Sequence, residues 1–450
     1  MTKALVVACA YLTLGSACES VTEVGLKVIL PEDHSDLDTV DNLLLVLEPD
    51  GISESVSIDG LDFSVELELP ADAALRANLF LARGSELKAW GRTTTFLSSS
   101  APGLALFLGR PGMLSTFPGT LDDPDPQLLA AALPGRGLFM LDSEGDTFLL
   151  SEFSYLVSAG ETLDDAPSPN FGGMYTVQEG VLRLAWGPSP RAARFDSEAS
   201  TWTDLEFTPP TDLEFDAPTP SAPNPGASVS EFFVYGETQS WRVDLIDLDD
   251  PDAAAIEVGL GATHDGARPG ASALGLDLGE APTQYLVFGA PDDRAVFWTE
   301  DAEAFGPTGP WIGGACAQVD PGVAQTQVLC VGGSRDGSPS ADLLLLARAS
   351  DGSWAVEELP QALPTALADP LWLVDETALY AQSDGQVVRI ARDSLLPDAE
   401  VSSAQRFAQG HSVELPTGAT FLVGGLGNEG QPLTRWQVFM PAFETPSEAP

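Results

Sequence analysis

Gly410-His411-Ser412-Val413 runs through Pro416-Thr417-Gly418 into Phe421-Leu422-Val423-Gly424-Gly425, and an apolar strand of the same kind recurs upstream. The earlier runs are Leu138-Phe139-Met140-Leu141, Val181-Leu182-Arg183-Leu184, Phe232-Phe233-Val234-Tyr235-Gly236, Tyr285-Leu286-Val287-Phe288-Gly289, Val328-Leu329-Cys330-Val331-Gly332-Gly333 and Ala378-Leu379-Tyr380-Ala381. They are spaced 43 to 53 residues apart. A near-constant period of this length marks an array of like units, none of which buries both its faces alone. Seven such units predict a radial all-β architecture, because a closed ring covers both faces of every unit. The competing arrangement, two stacked sandwiches, gives no reason for the regular spacing.

The repeats resemble those of kelch-type β-propellers over roughly residues 112–442. The last unit carries the likeness best, with a small-residue start, a turn, and an apolar strand ending in Gly424-Gly425. Val331-Gly332-Gly333 repeats that ending, and Arg268-Pro269-Gly270-Ala271-Ser272 is close to the family's usual start. Phe195-Asp196-Ser197-Glu198-Ala199-Ser200-Thr201-Trp202 and Ala349-Ser350-Asp351-Gly352-Ser353-Trp354 look like the turn-then-tryptophan of the outer strands. Units one, two and six lack the double glycine, and single glycines such as Gly236 and Gly289 stand in elsewhere. The resemblance implies a seven-bladed propeller. The segment Leu114 to Leu121 is expected to return beside Trp436 to Met440 and close the ring, since the chain ends too soon after Gly425 for a full four-stranded blade and an unclosed ring leaves two exposed edges.

Residues 18–111 lack the repeat. Phe63-Ser64-Val65-Glu66-Leu67-Glu68-Leu69 alternates apolar and acidic residues, the mark of a strand with one wet face. Further strand candidates at 26–30, 43–47, 75–82, 87–96 and 104–108, broken by turns such as Pro49-Asp50-Gly51, predict a small β-sandwich. Thr208 to Gly226, rich in proline, reads as an extended loop between units two and three. Residues 443–450 form a polar tail expected to fray.

The chain has 67 acidic and 20 basic residues and a formal charge of -47, spread along its length. A field of that sign repels phosphate backbones and anionic head groups, which disfavours nucleic-acid partners and electrostatic membrane binding. The densest acidic run, Asp247, Asp249, Asp250 and Asp252, has no turn glycine and no distal glutamate, so it does not fit a calcium loop. A solvated surface is the simpler reading.

Met1-Thr2-Lys3 followed by an apolar stretch from Ala4 to Leu14 has the layout of an export signal, residues 1–17. The following Gly15-Ser16-Ala17-Cys18 resembles a bacterial lipobox, which implies acylation of Cys18 and a lipid anchor at the envelope or cell surface. It departs from the pattern in placing Gly15, not leucine, three residues before the cysteine. Gly15-Ser16-Ala17 also suits ordinary signal peptidase, which would leave a secreted protein. The remaining pair, Cys316 and Cys330, would be oxidised after export. A hairpin folded about Val323 sets Val319 opposite Gln327, Ala317 opposite Leu329, and Cys316 opposite Cys330, which predicts a disulfide, with two buried thiols as the alternative.

His34, His264 and His411 are the only histidines, and no two stand at metal-ligand spacing. No nucleophile elbow, phosphate loop or dinucleotide fingerprint occurs. No catalytic residue, metal ligand or cofactor is therefore assigned. Two functions remain: a monomeric, non-enzymatic binding or scaffolding propeller, held to the membrane by lipid alone, whose loops contact an envelope protein or glycan; or a secreted enzyme acting on polysaccharide through channel carboxylates. An apolar channel would favour the first, and a concentration of Asp, Arg and Tyr the second.

Overall fold

The computed structural model describes residues 3–8 and 21–442, apart from 165–171, 186–190, 207–220, 247–254, 403–409 and a number of turns of one to three residues. Cys18, the acidic run at 247–252 and the tail from 443 lie outside the described residues. No helix among those described is long and apolar enough to cross a membrane.

Seven four-stranded antiparallel sheets follow one another along the chain and form a β-propeller. The repeated apolar runs are the second strand of each sheet. Gly137–Leu141, Gly180–Ala185 and Glu231–Tyr235 are buried at every position, because a blade interior is covered on both faces. The first strands are the innermost: Leu129–Leu133 (blade 1), Gly172–Val177 (blade 2), Ser221–Pro223 (blade 3), Ser272–Leu276 (blade 4), Ala315–Gln318 (blade 5), Leu371–Val374 (blade 6) and His411–Glu414 (blade 7).

Each pair of neighbouring blades shares an apolar cluster, and there are seven clusters for seven blades. Phe139 packs on Phe195 with ring centroids 4.3 Å apart between blades 1 and 2, and Leu184 packs with Phe232 between 2 and 3. Phe233 meets Tyr285 between 3 and 4, and Trp298 meets Trp354 between 4 and 5. Val331 packs with Leu379 between 5 and 6, Tyr380 with Phe439 between 6 and 7, and Phe421 with Met140 between 7 and 1. An open arc of seven blades would have six such interfaces, so the ring is closed. Trp202 and Trp354, the aromatics of the turn-then-tryptophan motifs, both reach a neighbouring blade, Trp202 touching Phe139 and Trp354 touching Trp298.

Closure is made by pairing the two ends of the propeller. Met113–Thr120 is the outer strand of blade 7 and runs antiparallel to Arg435–Met440, with Leu114 opposite Phe439. The double glycines tie blades in sequence. Gly332 and Gly424 sit at φ +63° and +67°, and a Cβ on either would come within about 3 Å of the Leu367 or Leu128 carbonyl of the link entering the next blade. Their partners Gly333 and Gly425 donate N–H groups to Leu367 and Pro126 at 2.7 and 3.0 Å.

One expectation needed revision. Part of the proline-rich stretch, Ser221–Pro223, is the inner strand of blade 3. Asn224 N–H donates to the Glu231 carbonyl, so by the alternation of the ladder the missing N–H of Pro223 would have pointed away from the blade, where it costs no bond. A small sheet of Trp311–Ile312, Ser334–Arg335 and Ser338–Pro339 was not foreseen. Its Trp311 is buried and donates Nε1–H to the Gly332 carbonyl at 2.7 Å.

Cys316 and Cys330 form the disulfide, directly opposite in register as the hairpin reading required. Val319 N–H donates to the Gln327 carbonyl, which puts Cys316 and Cys330 at a non-hydrogen-bonded position, where side chains approach most closely.

Ahead of the propeller, two sheets form a β-sandwich. One orders Lys3–Ala8, Phe63–Pro70, Val21–Ile29 and Gly103–Phe107; the other orders Ile52–Ser57, Asn42–Glu48, Ala74–Arg83 and Glu86–Arg92, with Phe96–Leu97 paired to Ala74–Arg83. Leu43, Leu45 and Leu47 face Val65, Leu67 and Leu69 across the core. Lys3–Ala8, within the segment read as an export signal, is an edge strand parallel to Phe63–Pro70. The sandwich is docked on the ring: Phe80, Trp90 and Phe107 join the cluster between blades 7 and 1, and Trp90 Nε1–H donates to the Pro441 carbonyl at 2.9 Å.

Trp436, Val438, Phe439 and Met440 of the closing strand are each at most 1% exposed, and loss of one such aromatic alone costs about 3–5 kcal/mol. Deleting residues 432–450 is therefore expected to lower the Tm of the propeller by at least about 10 °C in a single cooperative transition. Differential scanning calorimetry of the full and truncated chains checks this; a change within a degree or two would contradict ring closure by this strand.

Candidate functional site

The first strand of each blade has no partner on its inner side, so part of its backbone faces the central channel. The parity of each ladder says which part. In blade 7, Leu415 N–H donates to the Ala419 carbonyl, so the pair 413–421 exchanges hydrogen bonds and the N–H and C=O of Ser412 and Glu414 point away from the blade. In blade 1 the same count turns Ala130 and Ala132 inward, and Thr176 Oγ1–H takes up the Ala132 carbonyl at 2.7 Å. Val229 N–H donates to the Thr176 carbonyl, linking blade 3 to blade 2.

These strands line an open cavity of about 680 Å³ at one end of the channel. Blade 1 contributes Ala130 to Ala132 and Pro134, blade 2 Met174 to Thr176, blade 3 Val229, and blade 7 Ser412 to Pro416. The wall is mostly small and apolar. Among the described lining residues Glu414 is the one acidic or basic side chain, and no described residue makes a hydrogen bond or ion pair with its carboxylate. Its side chain is open to the lumen but surrounded by protein, and that desolvation raises its pKa. His411, at the other end of the same strand, is held neutral: burial and the charge of Arg183 both lower its pKa. Arg183 is itself 1% exposed, bonds the Gly173 and Leu184 carbonyls, and is lowered by burial to about 10.

Two other buried carboxylates, Glu231 and Asp375, are occupied, the first across the seam between blades 3 and 4 and the second within blade 6. Tyr285 Oη–H donates to Glu231 and Tyr380 Oη–H to Asp375, each at 2.7 Å, and Arg242 pairs with Glu231. The three histidines are far apart in role. His34 is bonded to the Pro31 carbonyl, His264 stacks on Tyr235 at 3.8 Å, and His411 lies in the inner strand of blade 7. Among the described residues no group of three or more His, Cys, Asp or Glu could hold a metal ion. The Asp196 and Asp351 turns cap their own backbones, accepting from Glu198, Ala199 and Ser353. Sequence reading gave no sign of Glu414, whose neighbours Gly410-His411-Ser412-Val413 mark the start of a repeat and not a site.

A second carboxylate stands at the joint between sandwich and ring. Glu152, in the loop after the third strand of blade 1, is 1% exposed, and neither of its oxygens meets hydrogen-bond geometry. Beside it Ala105 N–H of the sandwich donates to the Phe153 carbonyl at 2.7 Å. Tyr155 follows at φ +52°, an unfavourable conformation for a bulky residue, held by Thr417 of blade 7 and the backbone of Phe107. Burial raises the Tyr155 pKa to about 12.

No family model matches the chain. No curated protein matches it. Among solved structures it is similar to a chain of a mitotic checkpoint complex (10% identity, TM-score 0.45, covering 74% of this chain and 95% of that one). It is also similar to the β-propeller domain of Cps50 (Swd1) from Myceliophteria thermophila (9%, 0.43, 72% and 99%) and to apo AztD from Citrobacter koseri (13%, 0.39, 82% and 97%). TM-scores below 0.5 at such identities say nothing of what this protein binds.

Burial outweighs the opposing influence of the nearby Thr94 hydroxyl and raises the Glu152 pKa, so the folded chain holds that proton more tightly than the unfolded one. The stability contributed is full below the ordinary carboxylate range and is lost as pH rises through the folded pKa. Glu152→Gln is expected to be more stable than wild type at pH 7 by on the order of 1 kcal/mol, a gain that vanishes near pH 4. Urea unfolding at the two pH values measures it.

Proposed function

We propose that the protein is a non-enzymatic binding propeller of the bacterial envelope, monomeric and anchored through lipid on Cys18, which captures an envelope protein or glycan at the channel cavity. The supporting observation is the cavity wall: small apolar side chains and open backbone groups, with Glu414 as the one carboxylate among its described residues. Glycoside cleavage needs two carboxyl groups about 5–9.5 Å apart, so this wall gives the polysaccharide-hydrolase alternative no support. The blades are read as kelch-like on the double glycines at 332–333 and 424–425 and the inter-blade tryptophans Trp202 and Trp354. Removal of residues 1–17 is compatible with the fold, because Lys3–Ala8 is an edge strand and its loss breaks a single ladder. The disulfide agrees with an oxidising compartment.

The anchor is tested by intact mass. The mature chain is expected to begin at Cys18 with acyl groups attached, and Cys18→Ser protein should leave the membrane fraction; an unmodified N-terminus would refute the anchor.

The binding site is tested by photo-crosslinking on cells. A photoreactive residue at Pro416, on the cavity rim, is expected to give discrete adducts that the same residue at Thr201, on the exposed outer strand of blade 2, does not. Equal labelling at both positions, or none at Pro416, would count against the channel as the binding site.

A further inference from the structure

We infer that the channel cavity receives a lysine side chain on an extended segment of a partner protein, with Glu414 as its counter-ion. The inference rests on the binding-propeller reading above and narrows its partner from protein or glycan to a lysine-bearing peptide. Three observations converge on it. First, the cavity wall is apolar over most of its extent, suited to the four-methylene stem of a lysine, which favours apolar contact along its length while its ammonium seeks charge. Second, the carboxylate of Glu414 has no hydrogen bond or ion pair from any described residue, so an entering ammonium supplies what the fold does not. Third, the N–H and C=O groups of Ser412, Glu414 and Ala130 point off their blades into the lumen, an open strand edge able to pair with the backbone on either side of the lysine.

The other charged and titratable groups near the cavity do not compete. His411 is neutral, three residues and so about 10 Å along the strand from Glu414. Arg183 is enclosed in blade 2 and bonded to carbonyls there, and the Tyr175 phenol stays protonated because burial raises its pKa. The chain's formal charge of -47 adds a long-range field that draws basic segments towards it and speeds encounter at low salt.

The probe is the peptide acetyl-Ala-Ala-Lys-Ala-Ala-amide, titrated calorimetrically into the mature chain, alongside the same peptide with norleucine in place of lysine. The lysine peptide is expected to bind at least tenfold tighter than the norleucine one. Glu414→Gln should bring the two to equal affinity while leaving norleucine binding unchanged, which shows that the cavity is intact. Affinity for the lysine peptide should rise with pH through the titration of Glu414, and the norleucine peptide should show no such rise. Equal affinity of both peptides for wild type, or a Glu414→Gln chain that still prefers lysine, overturns the inference. So does protection of the Pro416 crosslink by chitotetraose but not by the lysine peptide, which would assign the cavity to a glycan. If the peptides fail and Pro416 still captures a partner on cells, the lysine reading falls alone; if Pro416 also captures nothing, the channel reading falls with it.

Discussion

The ladder between Met113–Thr120 and Arg435–Met440 is the constraint on which the ring depends. Six of the seven inter-blade clusters join sheets that are neighbours in sequence and could form in an open arc. The seventh, between blades 7 and 1, needs blade 7 to be complete, and its outer strand comes from ahead of blade 1. Without that strand, one blade has an unpaired edge and another an uncovered apolar face, each a site for association with other chains. The sandwich reinforces the same seam. Glu32 N–H donates to the Thr116 carbonyl on the outer side of Met113–Thr120, Arg435 pairs with Glu32, and Trp90 packs into the cluster beside Phe117 and Trp436.

What could be read from sequence was what is buried on both faces. Second strands such as Leu138–Leu141 and Phe421–Val423 are continuous apolar runs because each lies in the middle of a covered sheet, and their spacing gave the blade count. The sandwich strand Phe63–Pro70 was legible for the opposite reason, since its acidic residues alternate with buried ones. Ile52–Ser57 was missed. It is an edge strand in which no residue is fully buried, so serine and glutamate dilute the pattern. Inner strands escaped for want of length and pattern: Ser221–Pro223 has three residues, one of them a proline tolerated because its nitrogen faces the lumen.

The candidate site was hidden for a related reason. A channel wall is assembled from one or two residues of each of several blades, and none of those residues needs to be unusual where it stands. Ala130, Met174, Val229 and Glu414 span nearly 300 positions and share no spacing that a reader could match. Even Glu414 stands out only once the ring has enclosed it, since in an open strand the same side chain would be one more of 67 acidic residues. The disulfide was legible because both its cysteines lie on one hairpin, where register follows from the turn alone.

Pairing residue 113 with residue 440 also imposes an order on biosynthesis. At roughly 5–20 residues per second, the interval between the emergence of the two strands is some tens of seconds. Throughout that interval the sandwich and the early blades exist with Met113–Thr120 unpaired, an apolar edge waiting for its complement. Because Glu32 bonds its outer side and Phe107 packs on Phe117, the sandwich, made before the blades, is placed to hold that strand until its partner arrives, a built-in escort for the oldest unpaired edge of the ring.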